Sequence, residues 1–371
     1  MMSARFLTVV LERAFNMRDG FGREIDYMRI SVIDSCNLNC YYCNPCDNNE
    51  HCHALNILSV KEVLCIVRAA TRLGIKHFRL TGGEPLLHPQ LDEMVLQIKK
   101  IPGVSSVSLT TNAVLLAQHA KWLKEAGIDS INVSLDTIDA SEYERITKKP
   151  LLEEVKHGIN AAIECGIRVK INVVLTPQTD VVALTRYVAK KGTDIRFIEM
   201  MPVGEGHTNG VEPYKKVIGT LSKLYGEPCR INTEKTKEIN SGNDKRKIPD
   251  NGPAEYYIFP ELGIRVGLIQ AIHGKFCDTC NRIRVTADGR LMPCLGSSVT
   301  MDLVPDSWDF ADDVEKDFAI VRALRATIKA KPRCHNFNDN AVTYTKTTEI
   351  KTTEIEAAEV NAARNMSRIG G

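Results

Sequence analysis

This chain has no apolar run near the roughly 20 residues that cross a bilayer. Its opening MMSARFLTVVLERAF is broken by Glu12, with no small-residue cleavage site behind it. The expectation is a cytoplasmic protein with no membrane partner. It also lacks an excess of either charge. There are 48 Lys+Arg against 46 Asp+Glu, a formal net charge of +2. That argues against a nucleic-acid partner held by bulk electrostatics and leaves room only for a local basic pocket. Aromatic residues are sparse at 6%, but 43% hydrophobic and 25% charged residues over 371 positions are ordinary globular composition. Disorder, collagen and coiled coil are therefore excluded for the chain as a whole. At roughly 150 residues per domain, two domains or one large α/β unit with an appendage are expected.

What is present in quantity is cysteine, 12 in all and unevenly placed. Cys36, Cys40, Cys43 and Cys46 crowd together with Cys52 close behind; Cys277, Cys280 and Cys294 form a second group. With no export signal, such clusters point to metal or redox chemistry rather than disulfides. Cys65, Cys165, Cys229 and Cys334 stand alone and read as small buried hydrophobes.

From about residue 25 to 200, β-branched runs alternate with amphipathic ones. The strand-like runs are Tyr27–Ile33, His77–Thr81, Ser106–Thr110, Ser130–Leu135, Arg168–Leu175 and Asp194–Ile198. The helix-like runs are Val60–Leu73, Gln90–Lys100, Ala113–Ala126, Glu153–Cys165 and Val181–Lys190. Ser59 and Asp180 sit where N-caps belong, and Gly74, Gly127 and Gly166 where left-handed C-caps belong. Such alternation implies a parallel sheet with right-handed crossovers. Too few units are present for a closed eight-stranded barrel. The fold class expected is α/β, an incomplete (β/α)6 TIM-like barrel with a smaller C-terminal domain closing its open side. The boundaries expected are 21–200 for the barrel, 201–335 for the C-terminal domain and 336–371 for a polar tail. That tail carries the tandem repeat KTTEI-KTTEI (Lys346–Ile355) and ends in Gly370-Gly371.

In barrels of parallel strands the chemistry sits at the C-terminal strand ends. Each of the six runs carries or ends in something unusual: the Cys36-x₃-Cys40-x₂-Cys43 loop, Thr81-Gly82-Gly83-Glu84-Pro85, Thr111-Asn112, Ser134-Leu135-Asp136, Lys170 and Asn172 within the fifth run, and Glu199-Met200-Met201. Singly, each has an ordinary reading as turn, cap or solvated surface. Together at one end of successive strands they mark a site. Three thiolates on a short loop suit an iron–sulfur cluster with one iron left open, whereas structural zinc takes four protein ligands.

The C-x₃-C-x₂-C pattern, with Tyr42 before its last cysteine, and the Gly82-Gly83-Glu84-Pro85 stretch resemble the radical S-adenosylmethionine (SAM) superfamily. Cys277-x₂-Cys280-x₁₃-Cys294, spanning CNRIRVTADG, more narrowly resembles the GTP 3′,8-cyclases of molybdenum-cofactor biosynthesis, as do FGREIDYMRIS, VKINVV, IRFIEMMPVGEG, GPAEYY and the Gly-Gly end. The resemblance implies two [4Fe-4S] clusters, on Cys36, Cys40 and Cys43 and on Cys277, Cys280 and Cys294. It implies SAM contacts from Tyr42, Gly82, Gly83, Glu84, Thr111, Ser134 and Met201, and GTP contacts from Arg29, Arg79, Lys170, Arg196, Arg282 and Arg284. Arg29, Arg282, Arg284, Gly370 and Gly371 would carry catalysis, the double glycine by entering the active site. The implied reaction turns GTP into (8S)-3′,8-cyclo-7,8-dihydro-GTP through a 5′-deoxyadenosyl radical that takes hydrogen from the ribose C3′. An electron donor, the downstream cyclic pyranopterin phosphate synthase and a second copy of the chain are the implied partners.

The chain departs from the family in three places. Cys46 is extra and reads as a bystander, as does the His51-Cys52-His53 loop; His77 stands where lysine is usual; and the repeat lengthens the tail. The competing readings are another radical SAM enzyme with an auxiliary cluster, for example a peptide-modifying one, and a non-catalytic zinc-binding interaction protein. In the zinc reading, His273, Cys334 or His335 would be the fourth ligand at the second group.

Overall fold

The computed structural model describes residues 17–43, 56–203, 210–231, 252–297, 299–303, 313–335 and 337. Its strands β1 (Tyr27–Ser31), β2 (His77–Thr81), β3 (Ser106–Thr111), β4 (Ser130–Ser134), β5 (Val169–Val174) and β6 (Asp194–Ile198) lie side by side in that order, all parallel. The crossovers carry helices α1 (Val60–Arg72), α2 (Leu91–Lys99), α3 (Leu116–Glu125), α4 (Ala140–Thr147), α5 (Leu152–Glu164) and α6 (Val181–Lys190). This is the incomplete (β/α)6 barrel that the alternation implies.

The caps fall where the sequence places them. Ser59 accepts from the Glu62 N–H at 3.3 Å while Glu62 accepts from the Ser59 N–H at 2.7 Å, a reciprocal capping box. Asp180 caps α6 through the Ala183 N–H at 2.9 Å. Two differences are informative. α3 starts later than the periodicity suggests, because Ala113 adopts φ +65° before the helix can begin. α4 is absent from the sequence reading. It is short and mostly polar, and is set by the Asp139 side chain, which accepts from Glu142 N–H at 2.8 Å.

The C-terminal half joins the same sheet. After α7 (Gly219–Tyr225) come β7 (Cys229–Ile231), β8 (Glu255–Ile258), β9 (Arg265–Ile269), β10 (Arg282–Val285), β11 (Arg290–Met292) and β12 (Met301–Asp302), then α8 (Asp313–Lys329). β9 runs parallel beside β6, and β10 parallel beside β1. Among the described residues the result is one 12-stranded sheet ordered β12-β11-β10-β1-β2-β3-β4-β5-β6-β9-β8-β7. The C-terminal segment thus flanks the open side from both edges, extending the parallel part of the barrel by one strand on each.

Parallel strands covered on both faces usually read as continuous apolar runs, and barrel interiors are usually filled with branched side chains. Here the strands alternate. Met28 and Ile30, Phe78 and Leu80, Val107 and Leu109, Ile131 and Val133, Ile171 and Val173, Ile195 and Phe197, and Ile283 and Val285 are buried in the apolar core. Each contributes roughly 1.5–3 kcal/mol through burial. Strand geometry turns the intervening residues to the opposite face, the lumen. Those residues are polar: Tyr27, Arg29 and Ser31 on β1; His77, Arg79 and Thr81 on β2; Ser108 and Thr110 on β3; Asn132 and Ser134 on β4; Lys170 and Asn172 on β5; Arg196 on β6; Arg282 and Arg284 on β10. The barrel has an apolar jacket and a charged interior.

Candidate functional site

The first cysteine loop leaves the C-terminal end of β1 and is held from several sides. The last carbonyls of α4 accept from it, Asn39 N–H to Thr147 at 3.0 Å and Tyr41 N–H to Ile146 at 3.1 Å. Cys36 Sγ accepts from Leu38 N–H at 3.5 Å and from Asn112 Nδ2 at 3.8 Å. The Tyr42 hydroxyl donates to Asp136, which also accepts from Val174 N–H at 2.7 Å, so the loop is tied to the ends of β4 and β5. Cys36, Cys40 and Cys43 lie close enough for charge on one to raise the pKa of Cys40, whose burial raises it first.

Gly82 and Gly83 answer to this loop. A Cβ on Gly83 would stand 2.1 Å from Ser35 O, and one on Gly82 2.4 Å from Ile33 O. Gly83 N–H donates to Ile33 O and Glu84 N–H to Ser35 O, both at 2.8 Å. The close approach that makes glycine necessary in this structure is therefore to the backbone just before Cys36. Glu84, 1% exposed, accepts from Leu86 N–H at 3.0 Å, Thr111 Oγ1 at 2.7 Å and Asn112 N–H at 2.7 Å. Burial raises its carboxyl to about 7 against those donors. Thr111 is thus turned to Glu84, and its neighbour Thr110 takes the lumen face. Ser134 and Met201 are at the C-terminal ends of β4 and β6.

Below this rim lie the arginines. Register places Arg79, Arg29 and Arg284 side by side across β2, β1 and β10, with Arg282 one layer down beside Tyr27. Burial pushes the Arg29 guanidinium well below its usual range, and Arg284 and Arg79 push it further. Arg284 falls to about 10 through burial and repulsion by Arg282, against the pull of Cys294 and Cys280. Cations compressed in this way demand an anion. Arg79 Nε donates to Ser108 Oγ at 3.1 Å, and its guanidinium lies 5.7 Å from the Tyr27 ring. Across the lumen, Lys170 Nζ is 6.0 Å from the Tyr256 ring and Arg196 Nε donates to Asn172 Oδ1 at 2.9 Å. Gly267 makes room for them, since a Cβ there would lie 2.8 Å from Arg196 and 2.9 Å from Tyr256. His77 sits in the Tyr27 layer against Ser106 Oγ at 2.8 Å, and burial lowers its pKa, so it adds little charge near pH 7.

The second cysteine group is at the other end. Cys277 and Cys280 precede β10, and Cys294 follows β11, which runs antiparallel to β10. All three therefore gather at the N-terminal end of the parallel strands, although the strand-end rule places chemistry at the C-terminal end. β1, about 17 Å long at roughly 3.3 Å per residue, lies between the levels of the two groups. The arginines lie between them. Burial opposes the Cys280 thiolate, but Arg282 and Lys331 prevail and hold the thiol down at about 6.

Sequence reasoning had not singled out Tyr27, Ser108, Thr110 or Asn132, although all share the lumen parity of Arg29. Thr81 Oγ1, Thr110 Oγ1 and Asn132 Nδ2 are buried there without a hydrogen-bond partner, and Thr110 and Asn132 are register neighbours. These atoms are free to bond a ligand in the lumen. Among the described residues no three His, Cys, Asp or Glu side chains are arranged to hold one metal ion. The donors present are soft sulfurs, three at each end, a set that fits a [4Fe-4S] cluster with one iron left open. Cys46, His51, Cys52, His53, the repeat, Gly370 and Gly371 lie outside the described residues.

Comparisons with known proteins place the chain in a family. The radical SAM superfamily pattern matches residues 30–183, and that of Molybdenum Cofactor Synthesis C matches 193–337. A GTP 3′,8-cyclase of Clostridium perfringens (strain SM101) is 35% identical over 86% of this chain and 95% of its own length. One from Pelotomaculum thermopropionicum is 38% identical over 77% of this chain and 86% of its own. Among solved structures, Streptococcus suis SuiB is similar with a TM-score of 0.54 at 15% identity, over 81% of this chain and 65% of that one, a likeness of fold alone. With both cysteine groups, the arginine row and these relatives in view, this chain belongs to the GTP 3′,8-cyclase family.

Proposed function

We propose that this chain is the radical SAM enzyme that converts GTP into (8S)-3′,8-cyclo-7,8-dihydro-GTP, the first step of molybdenum-cofactor biosynthesis, and that it works in the cytoplasm. The observation that carries this reading is the arginine row on the lumen face between two cysteine trios at opposite ends of β1 and β10.

Cys36, Cys40 and Cys43 would hold one cluster, with SAM beside it, and Cys277, Cys280 and Cys294 the other. When bound, the first cluster and SAM supply reductive cleavage of a carbon–sulfur bond, and with it the means to take a hydrogen from the ribose C3′. The protein's work is placement. Arg29, Arg79, Arg282 and Arg284, with Lys170 and Arg196 opposite, bind the triphosphate and relieve their mutual repulsion. Thr110 and Asn132 offer a hydroxyl and an amide donor to the ligand midway up the lumen. Gly82, Gly83 and Glu84 receive the methionine end of SAM, the carboxylate facing its ammonium, while Thr111 and Asn112 hold Glu84 in place. Tyr42, Ser134 and Met201 border the same end. Walls of buried side chains keep water from the reacting carbon.

The C-terminal Gly370-Gly371 pair completes the site in this reading, tethered by the long polar tail. An electron donor, the downstream cyclic pyranopterin phosphate synthase and a second copy of the chain are its partners. An anaerobic assay of reconstituted protein with SAM, a reductant and GTP tests it. GTP-dependent 5′-deoxyadenosine with an isomer of GTP is expected; SAM cleavage indifferent to GTP would keep the superfamily chemistry and remove the substrate.

A further inference from the structure

Lys331 lies just beyond α8 and is 2% exposed, a rare place for a lysine unless it is paired. Its Nζ donates to Arg282 O at 2.8 Å and to Pro293 O at 2.9 Å, and its positive charge is near enough to lower the Cys280 thiol. An ammonium has three N–H donors and no acceptor, and two of them are met by these backbone oxygens. The partners are also strategically placed in the chain. Arg282 follows Cys280 by two residues, and Pro293 immediately precedes Cys294. The amine therefore bridges the two chain segments that bring the second cysteine group together.

The backbone on either side cannot slide away from it. Arg23, itself ion-paired with Asp19, donates to Cys277 O at 2.7 Å, Pro332 O at 2.6 Å and Arg333 O at 3.0 Å. Arg23 already stitches residues 332–333 to the cysteine loop, so cross-linking does not require a second buried cation. Two carbonyl dipoles alone compensate a buried charge poorly, whereas a thiolate supplies a counter-charge. Outer hydrogen bonds to ligating sulfur, and net charge nearby, are what tune an iron–sulfur centre.

We infer that Lys331 is a positioning residue whose fixed positive charge raises the reduction potential of the cluster on Cys277, Cys280 and Cys294. This rests on the reading that these cysteines hold a cluster. A cation beside the thiolates favours the reduced, more negative state of the centre.

The test uses full-length protein carrying Cys36→Ala, Cys40→Ala and Cys43→Ala, so that only the second centre remains. Lys331→Met, Lys331→Gln and Lys331→Arg are added to this parent. After anaerobic reconstitution, iron and sulfide content and the midpoint potential are measured by an EPR-monitored redox titration. Lys331→Met and Lys331→Gln are expected to load iron as the parent does yet show a lower potential, with Lys331→Arg returning it toward the parent value. Cluster loss in Met and Gln with Arg still loaded overturns the inference, since the charge then serves assembly of the centre and not its potential. Equal potentials in all four proteins overturn it, and so does loss of the cluster in all three variants, which marks a purely structural lysine. A parent that takes up no iron overturns the underlying reading, and the inference with it.

Discussion

The two cysteine groups sit at opposite ends of one lumen in opposite electrostatic surroundings. Around the first, the charged neighbours are carboxylates. Burial raises the Cys36 thiol to about 11, with Glu84 adding to it, and Asp136 raises Cys40 after burial and Cys43. Around the second, Arg282 and Lys331 overcome burial at Cys280. Each end is complementary to what the proposed reaction brings there. In the proposed reaction SAM would present an ammonium and a sulfonium to the carboxylate end, and GTP its phosphates to the cationic one. The same chemistry of three thiols is thus assigned different work by its neighbours.

The sharpest break of this comparison is cysteine replacement. Cys40→Ser should abolish both 5′-deoxyadenosine and cyclised product, whereas Cys280→Ser should abolish the product while reductant-driven cleavage of SAM persists. Loss of both in Cys280→Ser would mean that the two ends do not act separately. Next in size is the arginine row. Arg284→Ala removes charge-assisted contacts of roughly 1.5–3 kcal/mol each, so GTP affinity by calorimetry should fall at least about tenfold while SAM affinity is kept. A matching loss of SAM affinity would place Arg284 outside the phosphate end.

Gly83→Ala tests the carboxylate end. Its Cβ would meet the fixed Ser35 carbonyl at 2.1 Å, and such overpacking costs about 1–3 kcal/mol. Thermal unfolding should shift downward with poorer iron loading at the first group, and unchanged loading there would show that the loop yields freely. The smallest effect is pH. A carboxyl raised by burial to about 7 is uncharged below that value. If Glu84 faces the SAM ammonium, SAM binding should weaken as pH falls through 7, and in Glu84→Gln it should be weak and flat. A flat profile in the unaltered protein would remove Glu84 from that role.

Much of this was legible in the sequence because it is local. Period-two alternation in Tyr27-Met28-Arg29-Ile30-Ser31 already separates a lumen face from a helix face, and the Ser59 and Asp180 caps are read from single residues. The placement of the second group was not legible. It depends on β10 pairing with β1 across some 250 residues of chain, and no local pattern reports that register. For the same reason Lys331, a residue with no motif around it, reaches Cys280 only in the folded chain. α4 was missed because its first turn is polar and its signal is one cap, yet its last carbonyls hold the first cysteine loop.

The central claim is that substrate bound by the arginine row reaches the chemistry of the distant first group. The most direct test is an anaerobic turnover with GTP deuterated at the ribose C3′. The account predicts 5′-deoxyadenosine that carries the deuterium, formed together with the cyclised product. Product accompanied by unlabelled 5′-deoxyadenosine would contradict it.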